Sequence, residues 1–167
     1  MVATGIPQRR QLRAEGLTLA VVATRWNEAI VDKLLERAVA TGRELGVKVD
    51  AYRVDGALEL PVVVQACAKR YDAVVALGCV IRGETAHFDY VCDSVTAGLT
   101  RIALDEQTPI GNGVLTVDNE QQALARAGSE GAAEDKGGDA VRAAVGAAVE
   151  LRKVRCLPVK GYTQSKD

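Results

Sequence analysis

Residues 72–81 read DAVVALGCVI, and this apolar stretch decides the fold. Such a run is typical of a strand that is buried on both faces of a parallel sheet. Toward the N-terminus, strands are predicted at 17–23 and 47–54, each followed by a helix. The first helix is capped by Asn27 and ends at Gly46, and the second covers 58–70.

The alternation continues toward the C-terminus. Apolar residues three and four apart predict a helix that includes Phe88 to Ile102, then a strand over 109–117 and a short helix over 120–127. A glycine-rich turn, 128–138, precedes a last helix over 139–153. Buried strands that alternate with helices predict an α/β fold, in which a four-stranded parallel sheet carries helices on both faces.

The composition indicates one globular domain. Of the 167 residues, 48% are apolar and 26% are charged, and 21 Lys and Arg nearly balance 22 Asp and Glu. A dedicated nucleic-acid binder usually carries a basic excess, so that class is disfavoured. A membrane span needs about 20 apolar residues, and a secretory signal needs an apolar segment near the N-terminus. The sequence has neither, so we expect a cytoplasmic protein without membrane or nucleic-acid partners.

Four cysteines and one histidine leave little scope for a metal site. Cys67, Cys79, Cys92 and Cys156 form no C-x-x-C pair. We therefore expect no metal and no disulfide, and we interpret the thiols as small buried hydrophobic groups. An alternative is a nucleophilic Cys–His pair with His87, the only histidine, although no third orienting group is evident.

The segment after the most apolar strand, residues 82–90 (RGETAHFDY), has features of an anion site. Ligands of parallel α/β sheets bind beyond the carboxyl ends of the strands. Thr85 is placed to cap the next helix, whose free backbone amides attract an anion, above all a phosphate. Gly83 allows close approach of the backbone. The alternative is a capped helix start without a ligand.

His87 lies in the first turn of that helix, where the helix dipole disfavours a positive charge. A neutral imidazole beside an anion site is suited to act as a general base near neutral pH. The alternative is a histidine that is merely packed or exposed at a helix end.

Four other side chains follow predicted strands or flank the glycine-rich turn. Trp26 can stack on a planar heterocycle or pack at the sheet edge. Glu59 can bind hydroxyl groups of a polar substrate, or it can simply carry a charge in the first turn of a helix. Arg126 and Lys136 can reach a phosphate or a carbonyl. From the residues alone, we favour solvent-exposed surface positions for both.

Several motifs, in a shared order and spacing, resemble the 6,7-dimethyl-8-ribityllumazine synthase family. The most specific is Arg82-Gly83-x-Thr85-x-His87-Phe88-Asp89-Tyr90, followed by Val91-Cys92. The supporting motifs are Gly56-Ala57-x-Glu59-x-Pro61, Asn112-Gly113-Val114-Leu115-Thr116, Arg126-Ala127-Gly128 and Glu134-Asp135-Lys136-Gly137. The resemblance covers residues 17–152, which is nearly the whole chain apart from its two tails.

The resemblance implies a flavodoxin-like three-layer sandwich and a transferase of riboflavin biosynthesis. Such enzymes condense 5-amino-6-(D-ribitylamino)uracil with 3,4-dihydroxy-2-butanone 4-phosphate to 6,7-dimethyl-8-ribityllumazine. Phosphate and water are released, and no metal or cofactor is used. The active sites lie between subunits of a homopentamer. Because the turn from Gly128 to Lys136 is longer than in relatives that form sixty-subunit shells, we expect a pentamer.

The resemblance also predicts a domain organisation and the residues that bind the two substrates. We expect an extended arm over 1–15, the family domain over 16–154 and a C-terminal tail over 155–167. For the pyrimidine substrate, the resemblance implies that Trp26 stacks on the ring and that the backbones of Val80 and Ile81 contact the uracil edge. It also implies that the ribityl chain is bound by Ala57, Leu58 and Glu59. At the phosphate it implies Gly83, Glu84 and Thr85, with Arg126 from the adjacent subunit. From that same neighbour Asn112 and Lys136 are expected to face the ring or the ribityl chain, and His87 is expected to move protons.

Three other functions remain as alternatives. Some archaeal riboflavin synthases resemble this family, but the complete set of His87 and Arg126 favours the lumazine synthase. A flavin- or lumazine-binding protein of the same fold would bind without turnover. A phospho-acceptor receiver domain is disfavoured, because the first strand ends in Ala23-Thr24-Arg25-Trp26 without an acidic pair.

Overall fold

Strands alternate with helices along the chain, as the sequence predicts. The structure is a computed structural model that describes residues 11–160 and Gly5. Residues 1–4 and 6–10 of the predicted arm and residues 161–167 of the predicted tail lie outside the described residues. Among the described residues, no helix has the length and apolar character needed to cross a membrane. The elements are β1 (Thr18–Thr24), α1 (Glu28–Glu44), β2 (Lys48–Val54), a 3₁₀ turn (Ala57–Glu59), α2 (Leu60–Ala68), β3 (Ala73–Ile81), α3 (His87–Asp105), β4 (Ile110–Val117), α4 (Glu120–Leu124) and α5 (Lys136–Arg155).

The four strands form one parallel sheet in the order β2-β1-β3-β4. Helices α1 and α5 cover one face, and α2 and α3 cover the other. Alternate residues of β3 supply the two cores. Val75 and Leu77 pack with α1 and α5, whereas Val74 and Ala76 pack with α2 and α3. The predicted three-layer α/β sandwich with a four-stranded parallel sheet is confirmed.

Strand β3 occupies the central position that its composition predicts. It pairs with β1 on one edge and with β4 along nearly its whole length on the other. Its first seven residues, Ala73 to Cys79, are buried, and burial decreases only at Val80 and Ile81. Because the buried part carries no charged or hydroxyl side chain, polar chemistry is available only where this strand ends.

Helix α5 packs with its backbone directly against two neighbouring elements. A Cβ atom on Gly111 of β4 would lie 2.4 Å from the carbonyl oxygen of Ala140. A Cβ atom on Gly137 would lie 2.3 Å from the carbonyl oxygen of Leu34 in α1. Both distances are far below van der Waals contact, so glycine is required at both positions. Helix α5 is thereby fixed against the sheet and against α1.

Helix α5 begins earlier than the sequence predicts. We expected a glycine-rich turn as far as Gly138 and a helix from Asp139, but the helix begins at Lys136. Asp135 caps it, because its Oδ1 accepts from the N–H of Gly138 at 2.9 Å. The other oxygen of Asp135 accepts two hydrogen bonds from Arg37 on α1, at 2.9 and 3.0 Å. The glycines at this helix start therefore serve close packing rather than a turn.

Two other helices are shorter than predicted. The helix expected over 58–70 is a 3₁₀ turn followed by α2, with Pro61 in the first turn, where its missing N–H would have no helical partner. Helix α4 ends at Leu124 rather than at Ala127. The physical reason is that Ala127 pairs with Asp135 in an isolated antiparallel bridge, which turns the chain away from the helix.

Replacing Gly137 by alanine is expected to destabilise the protein, because the new methyl group would overlap the carbonyl oxygen of Leu34. Overpacking of this kind costs about 1–3 kcal/mol. Gly146 is a matched control in the same helix, since a Cβ there would meet only Leu12 at 3.9 Å. Gly146→Ala is expected to stabilise the protein by up to ~1 kcal/mol through helix propensity. Chemical denaturation followed by circular dichroism measures both changes, and equal effects would contradict the packing argument.

Candidate active site

One edge of the sheet gathers most of the residues to which the sequence assigns a role. Because β1, β2 and β3 are parallel neighbours, the segments that follow them emerge on the same side. These segments are the corner after β1, the 3₁₀ turn after β2, and the end of β3 with the loop and helix start behind it. The predicted residues at this edge are Trp26, Ala57, Leu58, Glu59, Val80, Ile81, Gly83, Glu84, Thr85 and His87.

Trp26 is held at this edge, yet 72% of the residue is exposed. Its backbone N–H donates to the carbonyl oxygen of Asp55, directly after β2, at 3.1 Å. The next residue, Asn27, adopts a left-handed conformation (φ 55°, ψ 46°) and makes no side-chain cap. Its Nδ2 instead donates to the carbonyl oxygen of Cys79 at 2.8 Å. Asn27 is therefore the N-cap residue by position, as predicted, but its side chain does not cap the helix and instead ties the corner between β1 and α1 to β3.

The carboxylate of Glu59 folds back onto its own turn. Its Oε2 accepts from the N–H of Gly56 at 2.8 Å and closes the start of the 3₁₀ turn. A Cβ atom on Gly56 would also lie 3.6 Å from Cδ1 of Trp26, so the indole lies beside this turn. Glu59 is thus a charge in the first turn of this 3₁₀ segment, as the alternative has it, and the residue is exposed at the edge.

The loop between β3 and α3 is exposed from Arg82 to Ala86. The hydroxyl oxygen of Thr85 accepts a long hydrogen bond from the N–H of His87, at 3.4 Å. The predicted cap is wrong, because Ala86 and not Thr85 is the N-cap residue of α3 and no side chain caps the helix. A Cβ atom on Gly83 would meet no atom within 4 Å, and its φ is not left-handed. Nothing inside the described chain therefore requires glycine at position 83.

Arg82 connects three segments at this edge, and the sequence assigned no role to it. Its Nε donates to Asp118, after β4, at 3.1 Å, and its Nη1 donates to Asp89 in the first turn of α3 at 3.3 Å. Its guanidinium carbon lies 4.2 Å from the ring centroid of Phe88, a cation–π contact. Its backbone N–H donates to the carbonyl oxygen of Val117 at 2.9 Å. The hydrogen bond to Asp118 is the main cause that raises the pKa of Arg82.

Arg126 and Lys136 form a second group, which is centred on the carboxylate of Glu134. Lys136 Nζ lies 2.5 Å from this carboxylate and Arg126 Nε lies 3.8 Å from it. The side chain of Glu134 is only 9% exposed. Arg126 also donates from Nη1 to the carbonyl oxygen of Gln122 at 2.9 Å. The surface positions that the residues alone favoured are thus only partly right, because both cations are held by an almost buried carboxylate.

Asn112 lies apart from both groups. Its register partner is Ala76, in the middle of β3, so it lies in the amino-terminal half of β4. The residue is exposed, and its Oδ1 accepts from the N–H of Val114 at 3.0 Å. A single chain therefore does not bring Asn112 to the carboxyl edge of the sheet.

The thiols of Cys79 and Cys92, the partners considered for His87, are poor nucleophiles. Burial raises the pKa of Cys79 to about 11, and burial also raises the pKa of Cys92. Both are therefore protonated at neutral pH, which argues against the alternative of a Cys–His pair. Between residues 11 and 160, no group of three or more His, Cys, Asp or Glu side chains is arranged to hold a metal ion.

Replacing Glu134 by glutamine is expected to destabilise the folded chain at neutral pH and to have less effect in acid. The hydrogen bond from Lys136 holds the pKa of Glu134 below its usual value of 4.5, and the charge of Arg126 adds to this. A carboxylate with a lowered pKa stabilises the folded state above pH 4.5, and this contribution is lost as the pH falls through the folded-state pKa.

Denaturant unfolding of the wild type and of Glu134→Gln at pH 7 and pH 3.5 measures this difference. Glu150→Gln is the matched control, because that carboxylate pairs with Lys153 on the exposed surface of α5 and contributes little. A difference between the wild type and Glu134→Gln that is the same at both pH values would contradict the assigned ion pairs.

Comparisons with known proteins assign the chain to a family. A family model described as 6,7-dimethyl-8-ribityllumazine synthase matches residues 16–152. Proteins of that name from Corynebacterium efficiens and Corynebacterium glutamicum are 59% identical over 155 residues, which cover 93% of this chain and 98% of each relative. The protein of that name from Saccharopolyspora erythraea is 58% identical over 156 residues, 93% of this chain and 94% of its own. The chain therefore belongs to the 6,7-dimethyl-8-ribityllumazine synthase family.

Proposed function

We propose that the protein catalyses the reaction for which its family is named. It condenses 5-amino-6-(D-ribitylamino)uracil with 3,4-dihydroxy-2-butanone 4-phosphate to 6,7-dimethyl-8-ribityllumazine, and it releases phosphate and water. This is a transferase reaction of riboflavin biosynthesis on two small-molecule substrates. One observation carries the proposal. In a chain of this family, the exposed indole of Trp26, the carboxylate of Glu59 and the helix start with His87 lie at the same edge of the sheet.

The phosphate group of the second substrate is assigned to the loop between β3 and α3. Gly83, Glu84 and Thr85 offer backbone amides ahead of a helix of 19 residues, whose dipole attracts an anion. Gly83 supports this assignment, because neither its backbone conformation nor its neighbours explain a glycine there. A ligand that approaches the backbone closely would explain it.

The pyrimidine substrate is assigned to the neighbouring part of the edge. Trp26 offers an exposed indole for stacking on a planar ring, and base–aromatic contacts of this kind are favourable. Ala57, Leu58 and Glu59 lie directly beside it on the 3₁₀ turn and are assigned to the ribityl chain. The backbones of Val80 and Ile81 at the end of β3 are assigned to the uracil edge.

The second group of residues supports a site that is completed by a neighbouring subunit. Asn112 lies away from the carboxyl edge of its own chain, so its assignment to a substrate requires another copy. We assign Arg126 to the phosphate and Lys136 to the ring or ribityl chain, both from that neighbour. Large apolar side chains that are exposed in the single chain support subunit contacts: Leu58, Val62, Tyr90 and Leu104. We propose a homopentamer rather than a sixty-subunit shell, on the length of the turn before Lys136.

The free cysteines are consistent with a reducing compartment. Cys67, Cys79, Cys92 and Cys156 all lie within the described residues and none forms a disulfide, although Cys156 is exposed. Structural disulfides are rare in the cytosol. The proposal therefore places the reaction in the cytoplasm.

Proximity and orientation of two reactive substrates supply most of the proposed catalysis, with modest acid–base help. The amine of the pyrimidine attacks the carbonyl of the phosphorylated substrate and water leaves, which forms an imine. The phosphate is then eliminated, which converts the adjacent hydroxyl-bearing carbon into a carbonyl. The ribitylamino nitrogen attacks that carbonyl and closes the ring with loss of a second water. His87 is exposed at the start of α3, beside the loop that is assigned to the phosphate, and is positioned to move protons in these steps.

A turnover assay tests the proposal. The purified protein is mixed with both substrates, and the fluorescence of the lumazine product and the release of inorganic phosphate are followed. Product formation above the spontaneous background supports the synthase. A folded protein that binds riboflavin tightly but does not accelerate the reaction would instead establish the alternative, a flavin- or lumazine-binding protein without turnover.

His87→Ala is expected to lower kcat by about 10²-fold, the usual contribution of a general acid–base group, without abolishing turnover. The residual rate comes from the two substrates being held together. Steady-state kinetics with both substrates measures this decrease in kcat. A fall to the spontaneous rate would contradict the view that orientation dominates.

Arg126→Ala is expected to raise KM for the phosphorylated substrate by about tenfold or more, because a charge-assisted hydrogen bond to the phosphate is lost. KM for the pyrimidine substrate should change little. Arg142→Ala is the matched control, since that arginine pairs with Glu44 between α5 and α1. An unchanged KM for the phosphorylated substrate would refute the assignment of Arg126.

A further inference from the structure

The start of α3 depends on Arg82 for its polar contacts with the rest of the chain. The loop from Gly83 to Ala86 is exposed, and the bond between Thr85 and His87 is local. The first residue of α3 that belongs to the core is Val91, one turn later. Within residues 11–160, the side-chain hydrogen bonds and ion pairs that join this helix start to another part of the sheet edge therefore run through Arg82.

The guanidinium of Arg82 is held by protein groups at Nε and Nη1. Its Nε donates a hydrogen bond to Asp118 and its Nη1 donates one to Asp89. The guanidinium also lies over the ring of Phe88. One positive charge thus faces two carboxylates, so the cluster does not attract an anion by its net charge. Its geometry is suited instead to keep three segments in fixed positions relative to one another. A planar guanidinium with several N–H donors does this better than the single ammonium group of a lysine.

We infer that Arg82 is a positioning residue for the proposed reaction. By joining Asp118 to Asp89 and Phe88, it fixes the start of α3 relative to the ends of β3 and β4. His87 immediately precedes Phe88. The contact between Arg82 and Phe88 therefore sets the position of the imidazole relative to the loop between β3 and α3. The inference rests on the proposed function, and it assigns Arg82 to no contact with either substrate.

A double-mutant cycle between Arg82 and His87 tests the inference. Arg82→Ala is expected to lower kcat about tenfold in the wild-type background, because small misplacements of a reacting group are costly. In the His87→Ala background, the same change is expected to lower kcat about twofold or less, since the group it positions is already absent. A merely structural role reduces the amount of active enzyme and therefore lowers kcat by the same factor in both backgrounds. Arg101→Ala, which removes an exposed ion pair with Asp105 in the last turns of α3, is the matched control and is expected to leave kcat unchanged.

Two further variants separate positioning from charge. Arg82→Lys keeps the charge but cannot grip both carboxylates and the ring, so its kcat is expected to stay within about threefold of Arg82→Ala. Asp118→Asn is expected to lower kcat without lowering KM for the phosphorylated substrate. If Arg82 acted on the phosphate by charge, the lysine variant would restore activity and Asp118→Asn would lower that KM. Should Arg82→Ala fail to fold, as judged by circular dichroism and its oligomeric size, Arg82→Lys takes its place in the cycle with His87→Ala.

The outcomes distinguish this inference from the proposed function. A wild type without turnover overturns the proposed function, and the assignment of Arg82 falls with it. An active wild type with equal effects of Arg82→Ala in both backgrounds, or with full activity of Arg82→Lys, overturns the positioning role alone. Non-additive loss, together with a lysine variant whose kcat stays within about threefold of that of Arg82→Ala, supports it.

Discussion

Strand β3 is paired on both edges and buried on both faces, and this constraint decides where the chain can carry chemistry. A polar side chain inside Ala73–Cys79 would be buried without water and would need a partner that the apolar layers do not offer. Polar groups therefore begin only at Arg82, where the strand has ended. The corners after β1 and β2 reach the same edge because the strands are parallel, so the indole of Trp26 and the helix start at His87 share one surface.

A second constraint, the backbone contact of α5, governs the other half of the chain. Gly137 lies against the carbonyl oxygen of Leu34, so the start of α5 has a single position relative to α1. Asp135 precedes it, caps it and holds Arg37. The bridge between Asp135 and Ala127 then fixes Arg126, the residue beside that bridge. The backbone positions of Arg126 and Lys136 thus follow from the packing of glycine, and the ion pairs with Glu134 then hold their side chains.

The order of elements and the central position of β3 could be predicted, because burial on both faces leaves a strong pattern in the sequence. The location of the candidate residues at the carboxyl edge could also be predicted, from that order of elements and from the family motifs. The contacts of Arg82 and Asn27 could not be predicted, since each joins segments that are far apart along the chain. Asn27 offered a cap by its type, yet its left-handed backbone turns the side chain to β3. The start of α5 was missed because glycine usually signals a turn, whereas here it permits close packing.

The two groups of candidate residues are joined through one short segment after β4. Arg82 holds Asp118, and the N–H of Asp118 donates to Oε1 of Gln122 at 2.9 Å. The carbonyl oxygen of Gln122 accepts from Arg126 at 2.9 Å, and Asn119 caps the segment through the N–H of Gln122 at 3.0 Å. All these contacts lie within one chain, so no neighbouring subunit is needed to form them. In the proposed oligomer, association then joins two preformed halves of a site, and less side-chain freedom is lost at the interface than if each half were ordered there.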